Sequence, residues 1–216
     1  QWEEALRKKY PVVVDEKVNV HDLQQVFNAV LSNVRIPDDL IRQTGPLDVL
    51  DHAGIGESFG GKLLLDATEK YPEEQAAIHP VWDSFERVEN TENAGMHAKV
   101  IYEMSSDRMK ITVATVAKPE SSFREAVAWV KSRITNQNNK SSVIIVTDRG
   151  AENLPPDLLF WYMLANTDPM RDIVFFAGRY PILGIDATRK LKKTDKFERK
   201  WPNVLVMSDE IIRRVD

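Results

Sequence analysis

A glycine-rich segment with the sequence GIGESFGGK has residue types that could bind a phosphate group. The segment nearly matches the phosphate-binding P-loop motif, because Gly56 is followed, after four further residues, by Gly61 and Lys62. That motif needs Ser or Thr after the lysine, because the hydroxyl is a ligand of Mg²⁺, but Leu63 stands there. It also needs a hydrophobic strand before the first glycine, and the preceding residues DVLDHA contain two acids and a histidine. The sequence therefore argues against a P-loop, and nucleotide binding by Gly56–Lys62 is kept as an alternative.

Three side chains just before this segment could do acid–base chemistry. Asp48, Asp51 and His52 lie close together, and a histidine beside two carboxylates could be a base or a ligand. The same side chains could instead fix a loop by hydrogen bonds, which the sequence alone favours. No nucleophile, base and oxyanion hole can be assembled from the sequence, and the other histidines lack metal-ligand spacing. We therefore predict no catalytic residue and no metal site.

Composition narrows the class of protein. The 216 residues are 43% hydrophobic and 29% charged, which is typical of one globular domain or two small ones. A net charge of −4 argues against a nucleic-acid-binding surface, and the absence of cysteine excludes disulfides and cysteine catalysis. The apolar runs are far shorter than the ~20 residues of a membrane-spanning helix. We expect a cytoplasmic chain without a transmembrane segment and, since it begins with Gln1, a piece of a longer protein.

Hydrophobic patterning predicts alternating strands and helices. Apolar residues at helical spacing from Val20 to Leu31 predict an amphipathic helix with Asn19 as its N-cap. Short apolar runs elsewhere predict buried strands. This alternation favours an α/β fold with a largely parallel sheet flanked by helices. The other predicted elements are strands at 11–14, 99–104, 110–116, 142–148 and 172–178, helices at 123–134 and 154–166, and a last strand and helix after residue 200.

Two segments of the chain resemble each other, which predicts two related strand-helix-strand repeats. Alignment of Asp15 with Asp148, 133 positions apart, also aligns Phe27 with Phe160. The sequence Asp-Ala-Thr then recurs at a separation of 120 positions, so the second copy is 13 residues shorter, and the missing residues are most of the glycine-rich loop. We divide the chain into a first repeat at 1–75, a connector at 76–98 and a second repeat at 99–216, which together form one compact unit.

The difference between the copies separates scaffold from function. Asp66 and Thr68 recur as Asp186 and Thr188, which favours a structural role such as capping a turn. The glycine-rich loop does not recur, so the scaffold does not require it, and such loops often carry function. A surface insertion tolerated at low entropic cost is an equally good interpretation on physical grounds.

Four motifs carry a resemblance to a known family. They are GPLDVLDHAG and GGKLLLDATEKYP in the first copy, and NTDPMRD and LGIDATRK in the second. With their flanks they cover roughly two thirds of the chain, and they resemble the carboxy-terminal domain of UbiD-like decarboxylases, the 4-hydroxybenzoate and polyprenyl-hydroxybenzoate carboxy-lyases. The pattern is divided, because the first copy has IPDD in place of the family's DPxRD and the second lacks PLDxLDH.

The resemblance implies a non-oxidative aromatic acid decarboxylase of quinone biosynthesis that uses prenylated FMN with a divalent metal (Mn) and K⁺. In that family an upstream domain holds the flavin, the metal and the catalytic residues, and no stretch here matches them. We therefore expect this chain alone to be inactive, to cover a 4-hydroxybenzoate-type substrate and to support a homo-oligomer. A purely non-catalytic assembly module is the alternative.

The resemblance also implies which residues form the cover. An apolar lid over a flat aromatic substrate would exclude water during the reaction. The expected substrate-binding residues are Pro46, Leu47, Asp48 and His52, and the expected loop and hinge residues are Gly45, Asp51, Gly60, Gly61 and Lys62. A lysine after a turn is more often solvated than bound, so Lys62 is not expected to be buried.

Overall fold

A computed structural model describes residues 8–75, 98–117, 123–134, 140–178, 180–203, 211, 213 and 214. Two short 3₁₀ helices, Pro72–Gln75 and Ala151–Asn153, accompany the regular elements. The regular elements are β1 (Val12–Val13), α1 (Leu23–Asn33), β2 (Leu40–Pro46), β3 (Phe59–Asp66), β4 (Lys99–Ser105), β5 (Met109–Val116), α2 (Phe123–Ile134), β6 (Ser141–Asp148), α3 (Pro156–Ala165), β7 (Ile173–Phe176), β8 (Ile182–Asp186) and α4 (Lys192–Asp195).

The strands form two mixed sheets, so the expectation of one largely parallel sheet is wrong. The first sheet has the order β1-β3-β2 and the second the order β4-β5-β6-β8-β7. Within the described residues, β2–β3, β4–β5 and β7–β8 pair antiparallel, whereas β1–β3, β5–β6 and β6–β8 pair parallel. The antiparallel pairs are hairpins, since a direct connection between neighbouring strands returns the chain. The predicted elements include no strand at β2, β3 or β8, which form the whole of the β2–β3 hairpin and one strand of the β7–β8 hairpin.

The strand pairing follows the alignment of the two copies. Val13 of β1 pairs with Asp66, and at the aligned positions Val146 of β6 pairs with Asp186. The hairpins agree as well, because Leu40–Leu65 in the first copy corresponds to Ile173–Ile185 in the second. Each copy is therefore a strand, a helix and a hairpin, not the strand-helix-strand unit that the sequence predicted.

The helix of the first copy begins later than predicted. Asp22, and not Asn19, is the N-cap of α1, since its carboxylate accepts hydrogen bonds from the backbone N–H groups of Gln24 and Gln25. Asn19 instead accepts the backbone N–H of His21 in the preceding turn. The final predicted strand and helix lie mostly outside the described residues.

One shared core holds the two copies together. Helix α1 and strands β2 and β3 contribute Leu31, Leu40 and Leu63, which pack with Ile111 and Leu183 from the second sheet. The opposite face of that sheet is covered by α2. Because the copies pack through buried apolar side chains, a loop of the first copy can be held in a fixed place by a turn of the second.

Candidate functional site: the loop between β2 and β3

The predicted functional loop connects the two strands of the first hairpin. We call residues 47–58 the long loop; the second hairpin has only residues 177–181 at this place. Gly45, Gly60 and Gly61 lie in the flanking strands, where Gly45 pairs with Gly60. Lys62 also lies within β3 and precedes no helix. A P-loop needs its lysine at the start of a helix, so this segment does not have the geometry of a nucleotide-binding loop.

The glycines of β3 allow a carboxylate from the second copy to approach the strand. A Cβ atom on Gly60 would lie 2.4 Å from Asp168 Oδ2, and one on Gly61 would lie 2.4 Å from the backbone nitrogen of Met170. Such distances are too short for any side chain, so glycine is required while Asp168 occupies this position. Asp168 is the first aspartate of the DPMRD motif.

Asp168 binds the long loop and β3 together. Its carboxylate accepts hydrogen bonds from the backbone N–H groups of Ile55 (3.0 Å) and Gly61 (3.0 and 3.2 Å), and from that of Met170 (2.8 Å) in its own turn. The residue is 0% exposed. Sequence reasoning noted the motif but gave Asp168 no role, because nothing in a single sequence shows that it meets a loop more than 100 positions away.

The acidic residues of the long loop fix its backbone. Asp48 accepts the N–H of Leu50 (2.9 Å), and Asp51 accepts the N–H of Ala53 (3.1 Å). Asp51 also forms an ion pair with Lys9 at 2.9 Å. This favours the structural interpretation of the two carboxylates, because both are engaged within the loop.

Lys9 links the loop to the second copy. Its ammonium group donates to the backbone carbonyls of Leu164 and Thr167, both at 2.8 Å, in addition to Asp51. Burial lowers the pKa of Lys9, and the neighbouring carboxylates, Asp51 first, oppose that effect. The N-terminal segment therefore contributes one cation to the place where the two copies meet.

The segment that follows strand β8 and helix α4 also contacts the long loop. The His52 imidazole packs edge to face against the Trp201 indole, with ring centroids 4.9 Å apart, and the Arg199 guanidinium donates to the Gly54 carbonyl. Trp201 is itself fixed by a 3.0 Å hydrogen bond from its indole N–H to Asn166. Burial lowers the pKa of His52, so the imidazole is neutral near pH 7 and packs as an aromatic ring.

Lys62 is buried, contrary to the expectation of a solvated lysine. It is 6% exposed, and its ammonium group donates to the Lys8 carbonyl at 3.1 Å. Burial lowers the pKa of Lys62. Its stem packs over Gly45, where a Cβ atom would lie 2.8 Å from Lys62 Cε. The Lys62 side chain thus packs against strand β2 at Gly45.

The outer surface of the long loop is apolar. Val49 is 76% exposed and Leu50 is 85% exposed, and Ile55 and Phe59 are also exposed. Leu47, which the resemblance places against a substrate, is 2% exposed and lies inside the loop. The loop therefore has a polar, hydrogen-bonded base and an apolar outer side with no cover in the described part of the chain.

Both copies contain the same polar cluster of one lysine and two aspartates. Lys190 lies 3.5 Å from Asp172 and 3.4 Å from Asp186, and at the aligned positions Lys70 lies 3.5 Å from Asp39 and 2.8 Å from Asp66. The aspartate of each Asp-Ala-Thr sequence accepts the N–H of its threonine at 3.0 Å. Such turn-capping contacts are the structural role predicted from the recurrence.

Two features are absent from the described part of the chain. That part contains no group of three or more His, Asp or Glu side chains placed to hold a metal ion. Over the same ranges, no helix has the length and apolar character needed to cross a membrane.

Comparison with known proteins relates the first copy to the family named above. Residues 2–67 match the family described as 3-octaprenyl-4-hydroxybenzoate carboxy-lyase C-terminal domain, which confirms the resemblance. An uncharacterised protein of Aquifex aeolicus is 45% identical over 67 residues, which are 31% of this chain and 14% of that protein. Uncharacterised proteins from two strains of Helicobacter pylori are 29% identical over 215 residues, which are 96% of this chain. The chain spans 32% of each H. pylori protein.

Proposed function

We propose that this chain is the substrate-covering part of a UbiD-like decarboxylase. The proposal is supported by the match of residues 2–67 to the carboxy-terminal domain family of the 3-octaprenyl-4-hydroxybenzoate carboxy-lyases. The full-length protein would release CO₂ non-oxidatively from a 4-hydroxybenzoate-type acid in cytoplasmic quinone biosynthesis. This chain would contribute a lid and oligomer contacts, and would be inactive alone.

The described residues do not fit a flavin phosphate or its metal ions. The backbone N–H of Gly61, which a phosphate would need, already donates to Asp168, and the described part of the chain has no metal-binding group of acids and histidines. We therefore assign prenylated FMN, Mn²⁺ and K⁺ to the upstream part of the protein, and derive no step through them here.

One observation carries the proposal. The long loop has a base fixed by Asp168, Asp51 and Lys9, and yet turns the apolar side chains of Val49 and Leu50 towards solvent. A fixed loop with exposed apolar residues is suited to cover an apolar partner, because closing on it removes both surfaces from water. An aromatic acid bound in an upstream domain presents such a surface.

The residues of the proposed cover follow from their exposure. Pro46, Val49 and Leu50 lie on the outside and would contact the substrate or the rim of its site. Leu47 and His52 would support them from within the loop, as Leu47 is buried and His52 packs on Trp201. The proposal thus keeps the predicted loop and extends its contact surface to Val49 and Leu50.

The test is decarboxylation by the full-length protein carrying Leu50→Ser. Loss of an apolar contact to the substrate should lower kcat/KM by roughly tenfold or more, while the urea midpoint stays near that of the wild type. Leu158→Ser, at an exposed apolar position on α3, is the matched control and should keep full activity. Equal kcat/KM for Leu50→Ser and wild type would refute the cover.

The same apolar surface also supports the assembly alternative. Exposed Val49 and Leu50 could pack against another copy of the chain. Sedimentation of wild type and Leu50→Ser separates the two. A shift from oligomer to monomer with unchanged kcat/KM favours assembly, and lower kcat/KM with unchanged oligomeric state favours the cover.

A further inference from the structure

We propose that Asp168, in the second copy, is the positioning residue that holds the long loop of the first copy in its covering conformation. The catalytic consequence of this role rests on the proposed function, but the role itself rests on geometry alone. Asp168 is 0% exposed and accepts hydrogen bonds from Ile55 in the loop and from Gly61 in β3. It therefore fixes the loop against the strand that follows it.

Both carboxylate oxygens are needed. Asp168 Oδ2 accepts from Ile55 and Gly61, and Oδ1 accepts from Gly61 and Met170. In an asparagine one of these atoms becomes an NH₂ group, which would face backbone N–H donors in either orientation. An asparagine of the same size thus cannot replace this carboxylate, because it would leave buried donors facing one another.

The strand is shaped to receive this side chain. A Cβ atom on Gly60 would lie 2.4 Å from Asp168 Oδ2, and one on Gly61 would lie 2.6 Å from Oδ1. Both glycines of the Gly-Gly-Lys sequence thus make room for the same carboxylate. This gives the two glycines a reason unrelated to phosphate binding.

The equivalent position in the first copy is occupied by a residue that has no long loop to hold, because the second copy lacks that loop. Arg35 aligns with Asp168, and the backbone N–H of each donates to the aspartate four positions on, Asp39 or Asp172, at 2.8 and 2.7 Å. The backbone role is therefore the same in both copies. The side chains differ, because Arg35 pairs with Asp39 within its own turn, whereas Asp168 reaches across to the other copy.

The family model covers the long loop but does not cover Asp168. The long loop is within residues 2–67, which the family describes, whereas Asp168 lies in the second copy. Arg199 and Trp201, which contact Gly54 and His52, also lie outside residues 2–67. We infer that the second copy, which has only a short hairpin turn of its own, positions the long loop of the first copy.

Amide hydrogen exchange tests the role without any assay of activity. In the full-length protein, Asp168→Asn should speed exchange of the Ile55 and Gly61 amides by about tenfold or more, with central strand β6 unchanged. Asp39→Asn is the matched control, since Asp39 is also buried but pairs within the first copy, and it should leave Ile55 at its wild-type rate. Asp168→Ser, whose smaller side chain leaves room for water, is measured alongside in case the asparagine does not fold.

The combined results separate the two proposals. Wild-type exchange at Ile55 and Gly61 in both Asp168 variants would overturn the positioning role, whatever the activity. Faster exchange with a kcat/KM lowered by roughly tenfold or more would support both the positioning role and the cover. Faster exchange with unchanged kcat/KM would keep the positioning role and overturn the cover.

Discussion

Phe27 and Phe160, which occupy aligned positions in the two copies, contact each other edge to face with ring centroids 5.4 Å apart. A residue that touches its own counterpart lies close to a two-fold axis, as in a symmetric dimer. The two copies therefore meet as the subunits of a dimer would, although one chain carries both. This arrangement places a turn of the second copy against the loop of the first.

The ring contact predicts a measurable coupling. Phe27→Ala and Phe160→Ala should each destabilise the protein by roughly 1–3 kcal/mol, less than for a fully buried phenylalanine because both rings are partly exposed. The double variant should lose about 0.5–1.5 kcal/mol less than the sum of the two, since the contact is lost only once. Urea unfolding of the four proteins measures the coupling, and strict additivity would show that the rings do not interact.

Glycines near the long loop differ in whether they have room for a Cβ atom, so the same substitution is expected to have opposite effects at Gly61 and Gly56. Gly61→Ala places a Cβ atom 2.4 Å from the Met170 nitrogen and should cost about 1–3 kcal/mol. Gly56→Ala is the control, because the nearest atom would lie 3.6 Å away, and should be nearly neutral. The free energy of unfolding of both variants checks this. A stable Gly61→Ala would mean that Asp168 and Met170 lie farther from β3 than described.

The repeated polar cluster predicts an asymmetry between its two lysines. Lys190→Met should cost about 3–5 kcal/mol, because the Lys190 side chain is 0% exposed and its loss leaves buried carboxylates without their cation. Lys70→Met should cost less, because the Asp66 side chain is 41% exposed and stays hydrated. Thermal unfolding of the two variants decides the order. An equal loss would show that exposure does not set the difference.

The neutral His52 predicts a dependence of stability on pH. Burial lowers its pKa in the folded protein below the ordinary value near 6.5. Its contribution is thus complete above pH 6.5 and is lost as the pH falls towards the folded pKa, because the unfolded chain binds the proton first.

A substitution isolates that contribution. His52→Gln should lose less free energy of unfolding between pH 7 and pH 5 than wild type does. His21→Gln, at an exposed position before α1, should behave as wild type. If His52→Gln keeps the full acid sensitivity, the imidazole is not the group responsible.

Local patterns were enough to predict most elements. The runs at β4, β5 and β6 are apolar and rich in β-branched residues, and the structure places strands there. The start of α1 was misjudged because Asn19 and Asp22 are both good N-caps, and only the hydrogen bonds distinguish them. Strand β8 was not predicted, since the tight connection after β7 was not recognised as a hairpin.

The long loop was predicted from sequence, but its surroundings were not. The comparison of the copies identified the loop as the part that the scaffold does not need. Periodicity carries no information about contacts such as that between Asp168 and Ile55, which are set by the packing of one copy on the other. For the same reason the burial of Lys62 and Leu47 was missed.

The contacts that complete the long loop also set an order of events during synthesis. The Gly54 carbonyl cannot form its hydrogen bond with the guanidinium of Arg199 until that residue, 145 positions later in the chain, has been synthesised. At a ribosomal rate of about 5–20 residues per second, Arg199 is made roughly 7–30 s after Gly54. For that interval the long loop of the nascent chain lacks the contacts with Asp168 and Arg199 that fix its backbone in the folded protein. The loop can therefore take its final conformation only after the second copy and the segment that follows β8 have been synthesised.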